Sequence, residues 1–328
     1  LMPGGNPEAW PHLKPIFQAI AAKAPDGAAC CDWVGEGGAG HFVKMVYHIF
    51  RDGVGFTDDE QSEIFAQWNK GVLDSFLIEI STDILRFKDA DGQPLLEKIR
   101  DAAGQKGTGK WTAIAALDYG MPVTLIGEAV FSRCLSSIKD ERVRASKVLS
   151  GPTTSRYTGD KAQLVKDLEQ AMYASKIISY AQGFMLMREV SHQFKWNLNY
   201  GSIALMWRGG CIIRSAFLGD IKSAFDKNKT LECLLFDPFF QKATTTAQSG
   251  WRNAISTATL IGIPVPALST ALSFYDGYRT ARLPANMLQA QRDYFGAHTY
   301  ELEDKPGTYV HTNWTGRGGN VHASNYDA

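Results

Sequence analysis

The sequence predicts an all-α fold: one large multi-helix domain, preceded by a short α/β remnant and followed by an extended C-terminal tail. Three observations carry this prediction. From about residue 40 to residue 283 nearly every segment repeats its apolar residues at helical spacing, and the period-two alternation of a half-buried strand is absent. Only residues 28–34 (AACCDWV) read as a short buried strand. Beyond Leu302 the composition turns to Gly, Thr, Asn and His (KPGTYVHTNWTGRGGNVHASNYDA), and periodicity ceases.

Taken in order, residues 7–23 place Trp10, Leu13, Ile16, Phe17 and Ile20 at helical spacing behind a capping Asn6. After the strand comes Gly35-Glu36-Gly37-Gly38-Ala39-Gly40, formally a GxGxxG between strand and helix. A dinucleotide fingerprint needs a second strand ending in an acidic residue about 20 residues on. Here Asp58 and Asp59 lie instead in Thr57-Asp58-Asp59-Glu60, a capping box that starts a helix. The glycine run therefore reads as a loop. The long helical candidates are residues 70–87, 122–137, 161–194, 203–228 and 265–282, separated by turns at Asp91-Gly92, Gly151-Pro152 and 262–266. Gly183 and Gly209-Gly210, inside apolar helical patterns, read as close helix approaches. The tail has no fold of its own by pattern, and Tyr309, Trp314 and Tyr326 point to its ordering against another surface.

Composition narrows the function. The 34 basic and 34 acidic residues balance, so no bulk field draws the chain to nucleic acid or to an anionic membrane. An anion site must then be local. No long uninterrupted apolar segment appears, because residues 260–274 are broken by Gly262, Pro264 and Pro266. The five cysteines (Cys30, Cys31, Cys134, Cys211, Cys233) are odd in number and lack paired metal spacing, which predicts reduced thiols in a cytoplasmic compartment and no metal site.

The string Gly-Gln-Lys-Gly-Thr-Gly-Lys-Trp at 104–111 imitates a nucleotide-binding loop. Gly104, Gly109 and Lys110 fit that pattern, but Trp111 stands where the magnesium-ligating hydroxyl belongs. Residues 95–103 (LLEKIRDAA) moreover read as an amphipathic helix and not as the buried strand such a loop follows. A cationic loop opening a helix remains. It suits an anionic ligand held by Lys106, Thr108 and helix-terminal amides.

A resemblance then appears along the whole chain. LMPGGN (1–6), GHFVKMV (40–46), LDSFLIEI (73–80), GQKGTGKWT (104–112), GEAVFSRCLSS (127–137), KIISYAQGFML (176–186), WRGGCIIR (207–214), ALSFYDGYR (271–279), QRDYFGAHTYE (291–301) and HTNWTG (311–316) resemble 6-phosphogluconate dehydrogenase. The resemblance implies an NADP-dependent, metal-free oxidative decarboxylation of 6-phosphogluconate to ribulose 5-phosphate in the pentose phosphate pathway. It further implies a cytoplasmic homodimer whose C-terminal tail threads through the partner. On this reading residues 1–37 are the remnant of a Rossmann coenzyme domain, 38–282 the all-helical domain, and 283–328 the C-terminal helix and tail.

Two departures from the family pattern stand out. The N-terminal stretch resembles only the last helix and strand of the coenzyme domain, so the chain reads as a piece of something longer. After Val46 the family continues through a His-Asn pair and a glutamate before a tyrosine-histidine pair like Tyr47-His48. About 15 residues, roughly four helical turns, are expected to be missing there. The acids nearby, Asp52, Asp58 and Asp59, read as turn and cap residues.

Residue by residue, the resemblance implies that Lys44 is the catalytic lysine that takes the proton of the substrate's C3 hydroxyl as hydride leaves. Lys106, Thr108 and Arg133 match substrate-binding positions around the phosphate, and Arg292 and His298 match residues that reach the site from the partner subunit. Read without the family, Arg133 pairs with Glu128 or Asp140, and a lone His298 is structural. His41, His311 and His322 show no ligand-like pattern. Two functions of different class follow: an oxidoreductase inactive as this chain alone, or a non-catalytic dimerisation remnant or faulty gene model of the full enzyme.

Overall fold

The computed structural model describes residues 10–24, 27, 49–104, 107–209 and 212–317. The strand expected at 28–34, the glycine run at 35–40 and the Val46-Tyr47 junction lie outside them. The chain divides into two compact units, Leu1–Phe274 and Tyr275–Ala328, with the boundary inside a helix.

In the first unit the helices are α1 (Trp10–Ile20), α2 (Asp58–Trp68), α3 (Phe76–Arg86), α4 (Thr108–Asp118), α5 (Thr124–Ser137), α6 (Lys139–Ala145), α7 (Lys161–Gln193), α8 (Tyr200–Met206), α9 (Leu218–Lys227), α10 (Pro238–Leu260) and α11 (Pro266–Tyr278). The all-α expectation holds. Thr57 makes the capping box read from sequence, its side chain accepting from Glu60 N while the Glu60 carboxylate accepts from Thr57 N at 2.8 Å. Asp58 and Asp59 occupy the first turn it opens, and Asp52 pairs with Arg51 at 2.8 Å, so all three serve the turns and caps expected of them.

The unit is organised about α7. At 1.5 Å rise per residue this 33-residue helix is about 50 Å long. Asp160 starts it by accepting Ala162 N and Gln163 N, and Leu164, Leu168, Ala171, Ile177, Ile178 and Ala181 on it are buried at 2% exposure or less. The middle of the helix is buried on all sides, with Ser175, Lys176, Ser179 and Gln182 the polar residues among its apolar ones, so it runs through a core rather than across one face. Helix α10 packs along it, started by Asp237 with Pro238 in the first turn. The two backbones meet at Gly250. A Cβ there would stand 2.9 Å from the Cα of Asp167, and Gly250 N donates to the side chain of Gln170 at 3.1 Å.

Four expectations need correction. Residues 95–103 are not an amphipathic helix: a single 3-10 turn, Leu95–Lys98, gives way to irregular chain, because Lys98 is drawn back to Asp89 and Asp91 across the Gly92 turn. The expected helix 203–228 is two helices, α8 and α9, divided at the glycines. Gly209 lies at this break, outside both helices, while Gly210 is outside the described residues. Gly183 faces open space, so the close approach belongs to Gly250. Residues 70–87 turn helical only from Phe76, after Asn69 accepts Ser75 N at 3.1 Å and closes the preceding turn.

In the second unit, the last residues of α11 are followed by α12 (Ala285–Gly296) and an antiparallel hairpin of β1 (Tyr300–Leu302) and β2 (Lys305–Val310). Tyr300 pairs with Val310 and Glu301 with Tyr309. The tail therefore has local structure that its Gly- and Thr-rich composition concealed.

Candidate functional site

The loop that imitates a nucleotide cradle is built by α4 and α5. Gly107 takes φ 73°, a conformation open to glycine at no steric cost, and Thr108 then begins α4. Among the described residues no side chain caps this end, which leaves its first amides at the positive end of the helix dipole. Gly109 has a packing reason: a Cβ there would stand 3.1 Å from Cγ2 of Val130 on α5. The glycine spacing that suggested phosphate thus also sets how closely α4 approaches the helix carrying Arg133.

The stem of the loop is tied to α5 twice. The Ser136 hydroxyl accepts Ala103 N at 3.0 Å, and the Arg133 guanidinium donates to the carbonyl of Gly104. The two acids expected to pair with Arg133 are engaged elsewhere, Asp140 with Arg100 at 2.9 Å and Glu128 with the Ser132 hydroxyl at 3.3 Å. Just before the stem, the Lys139 hydrogen bond, with help from Arg142, lowers the Asp101 carboxyl to about 2. Thr108 and Arg133 are exposed, and Lys106 lies outside the described residues, as does Lys44.

A residue that sequence reasoning passed over holds this helix in place. Gln182, 1% exposed in the middle of α7, accepts Leu125 N at 3.0 Å and donates to the Thr124 hydroxyl at 3.0 Å. Val123 provides no side-chain cap, so the central helix caps α5 in trans. Below it Ala116, Val123, Ile126 and Leu186 close a small apolar cluster joining α4, α5 and α7. A glutamine amid apolar helical residues was the available signal.

In the second unit Arg292 and His298 sit at the C-terminal end of α12. Arg292 donates to Gln289 Oε1 at 3.1 Å, and the His298 ring meets Phe295 edge-on at 5.9 Å. Between them Asp293 is completely buried and accepts four hydrogen bonds: Thr299 N at 3.0 Å and His311 Nδ1 at 2.9 Å on Oδ1, Thr312 N and Trp314 Nε1 at 2.9 Å on Oδ2. Burial alone would raise its pKa, but the four donors outweigh this and lower it to about 2. His311 is thereby structural, in keeping with its lack of a ligand pattern. Asp293 is the one buried side chain of α12, and Met287, Leu288, Tyr294 and Phe295 face outward, all more than 60% exposed.

Among the described residues no helix is long and apolar enough to cross a membrane, and no three His, Cys, Asp or Glu side chains gather as metal ligands would.

Comparison with known proteins gives these features a context. The family model of the 6-phosphogluconate dehydrogenase C-terminal domain matches residues 36–314. The whole chain aligns with proteins called 6-phosphogluconate dehydrogenase, decarboxylating: 67% identical to that of Cunninghamella elegans, 63% to that of Ovis aries and 62% to that of Homo sapiens, covering 71% of each. These alignments run over 343 positions against 328 residues, so the difference, 15 positions, faces no residue here. That is the size of the segment expected to be missing after Val46. Among solved structures, the Plasmodium falciparum 6-phosphogluconate dehydrogenase, determined in its apo form, with its cofactor NADP+ and with its substrate 6-phosphogluconate, superposes with a TM-score of 0.88 at 36% identity. The match covers 95% of this chain and 70% of that one.

Proposed function

This chain belongs to the 6-phosphogluconate dehydrogenase family, NADP-dependent decarboxylating oxidoreductases, and we propose that its helical domain carries the family's site for the substrate phosphate. The observation behind this is the position of Arg133, bonded to Gly104 beneath the uncapped start of α4. A phosphate carrying nearly two charges suits a guanidinium with helix amides and an ammonium beside it, so Arg133, Thr108 and Lys106 form the clamp. Lys44 takes the proton of the C3 hydroxyl. For that it must be neutral, which requires burial or neighbouring cations to lower its pKa.

Arg292 and His298 complete the site from a second copy of the chain, making the functional unit a homodimer. The outward apolar face of α12 supports this reading, as do Trp111, Leu117, Phe131 and Leu135 on α4 and α5, each more than half exposed. The described residues contain no parallel strands opening into a glycine turn, the support a dinucleotide needs. They do not fit NADP, and no step through it is assigned to them. The free thiol of Cys134 accords with a cytoplasmic setting. Residues 38–282 and 283–328 are accordingly the substrate domain and the exchanged tail.

The test uses the 328-residue polypeptide. Following NADPH absorbance with 6-phosphogluconate and NADP+ is expected to show no turnover, because the general-acid glutamate has no counterpart in this chain by match. Such an acid contributes about 10²–10⁴ in rate. Titration with 6-phosphogluconate alone is expected to give an affinity of about millimolar order. Arg133→Ala and Lys106→Ala should each weaken it by about 1.5–3 kcal/mol, the worth of a charge-assisted contact. Unchanged binding in both variants would remove the clamp, and NADPH production lost in Lys44→Ala would show that the chain is catalytic.

A further inference from the structure

His298 occupies an unusual stretch of backbone. Its two neighbours, Ala297 at φ 49° and Thr299 at φ 60°, are both in the left-handed region. Neither has glycine's freedom there, and threonine is β-branched. Such conformations persist only where the surroundings over-determine them. Both are held by one residue: Ala297 N donates to the backbone carbonyl of Asp293 at 2.9 Å, and Thr299 N donates to its carboxylate at 3.0 Å. The histidine ring is folded back over the helix end, where a Cβ on Gly296 would stand 2.6 Å from its Cδ2, and Phe295 closes its side.

The remaining lone pairs of Asp293 are taken by His311, Thr312 and Trp314 from the segment beyond β2. The carboxylate is thus fully engaged by groups of its own unit and fully buried, so it is not itself a ligand contact. What its bonds fix is the direction in which the chain leaves α12, and with it the direction of His298.

We infer that Asp293 is a positioning residue: by holding the two left-handed residues that flank His298, it sets where the imidazole is presented to 6-phosphogluconate. This rests on the reading of His298 as a substrate contact, and the experiment separates the two. In the full 328-residue chain, the His298 ring signals are followed by ¹H–¹³C NMR, and 6-phosphogluconate affinity is titrated in parallel. Asp293→Asn is expected to shift those signals and to weaken binding about tenfold. His298→Ala should lose about the same, and the double variant no more than either alone, as for residues acting as one unit.

Two controls distinguish positioning from mere stability. Trp314→Phe removes one of the four donors without touching the His298 flanks; it should lower the melting temperature of the tail yet leave ring signals and affinity in place. Thr299→Gly, free to adopt positive φ unaided, should restore much of both when added to Asp293→Asn. If Asp293→Asn folds too poorly to measure, Asp293→Glu serves, with a smaller shift expected. Ring signals unmoved by changes at Asp293, or Trp314→Phe lowering affinity as much as Asp293→Asn, would overturn the assignment. Wild-type chain that binds no 6-phosphogluconate would instead sink the reading of His298, while the ring signals would still report whether Asp293 places it.

Discussion

The side-chain carbonyl of Gln182, deep in the central helix α7, accepts the backbone N–H of Leu125 at 3.0 Å, so one helix caps the helix that bears Arg133. Replacing Gln182 by Met keeps the volume but leaves the Leu125 amide unpartnered in a buried place. The expected cost is about 1–3 kcal/mol in chemical denaturation, the penalty of an unsatisfied buried donor. Affinity for 6-phosphogluconate should fall with it. A variant that melts like wild type would mean that this amide finds another partner.

Gly250→Ala tests the contact between α7 and α10. The new methyl would meet the Asp167 backbone at 2.9 Å, and backbone inside a 33-residue helix cannot step aside cheaply. Overpacking of this kind costs about 1–3 kcal/mol. Gly183→Ala is the control, since nothing lies within 4 Å of its Cβ position, and it should stabilise α7 by up to about 1 kcal/mol through propensity alone. Equal effects at the two glycines would contradict the packing described.

Lys176 gives the first unit a pH dependence. Its Nζ is buried with no hydrogen-bond partner among the described residues, 5.5 Å from the Phe217 ring, and burial lowers its pKa from 10.5 to about 8 against the opposing charge of Asp74. The folded pKa lies below the unfolded one. Stability is therefore full above about pH 10.5 and lost as pH falls through 8, by an amount up to about 3 kcal/mol. Lys176→Met should stabilise the chain at pH 7, with the gain shrinking as pH rises toward 10. Urea midpoints of both proteins across this range provide the check; a gain independent of pH would show that the amine is not the cause.

Phe295→Asp places a charge on the outward apolar face of α12, where the wild-type ring is 73% exposed. Sedimentation of the wild-type chain at micromolar concentration should show a dimer, and the variant should dissociate while keeping its helical circular dichroism. A wild-type monomer would remove the proposal that Arg292 and His298 act across an interface.

The helix content, the Thr57 capping box, the reach of α7 and the family were all legible in the sequence. Each depends on neighbours within a few turns, or on motifs carried in order along the chain. The loop at 104–111 was likewise recognised as cationic and as the opening of a helix, which Thr108 begins. What the sequence did not reveal was non-local. The 3-10 turn at Leu95–Lys98 arises because Lys98 finds carboxylates across a turn, which a periodicity count does not see. The hairpin of the tail escaped notice because β1 is only three residues long and β2 is exposed at all but its last residue, so no period-two pattern long enough to read develops. Gly250 and Gly183 look alike in sequence, two glycines in apolar helices, and only the packing partner tells them apart. Gln182 and Asp293 share this character: a polar side chain within a helical pattern has no local reason to be buried. Tertiary structure decided their roles, because a buried amide or carboxylate is tolerable only where distant backbone groups converge to satisfy it.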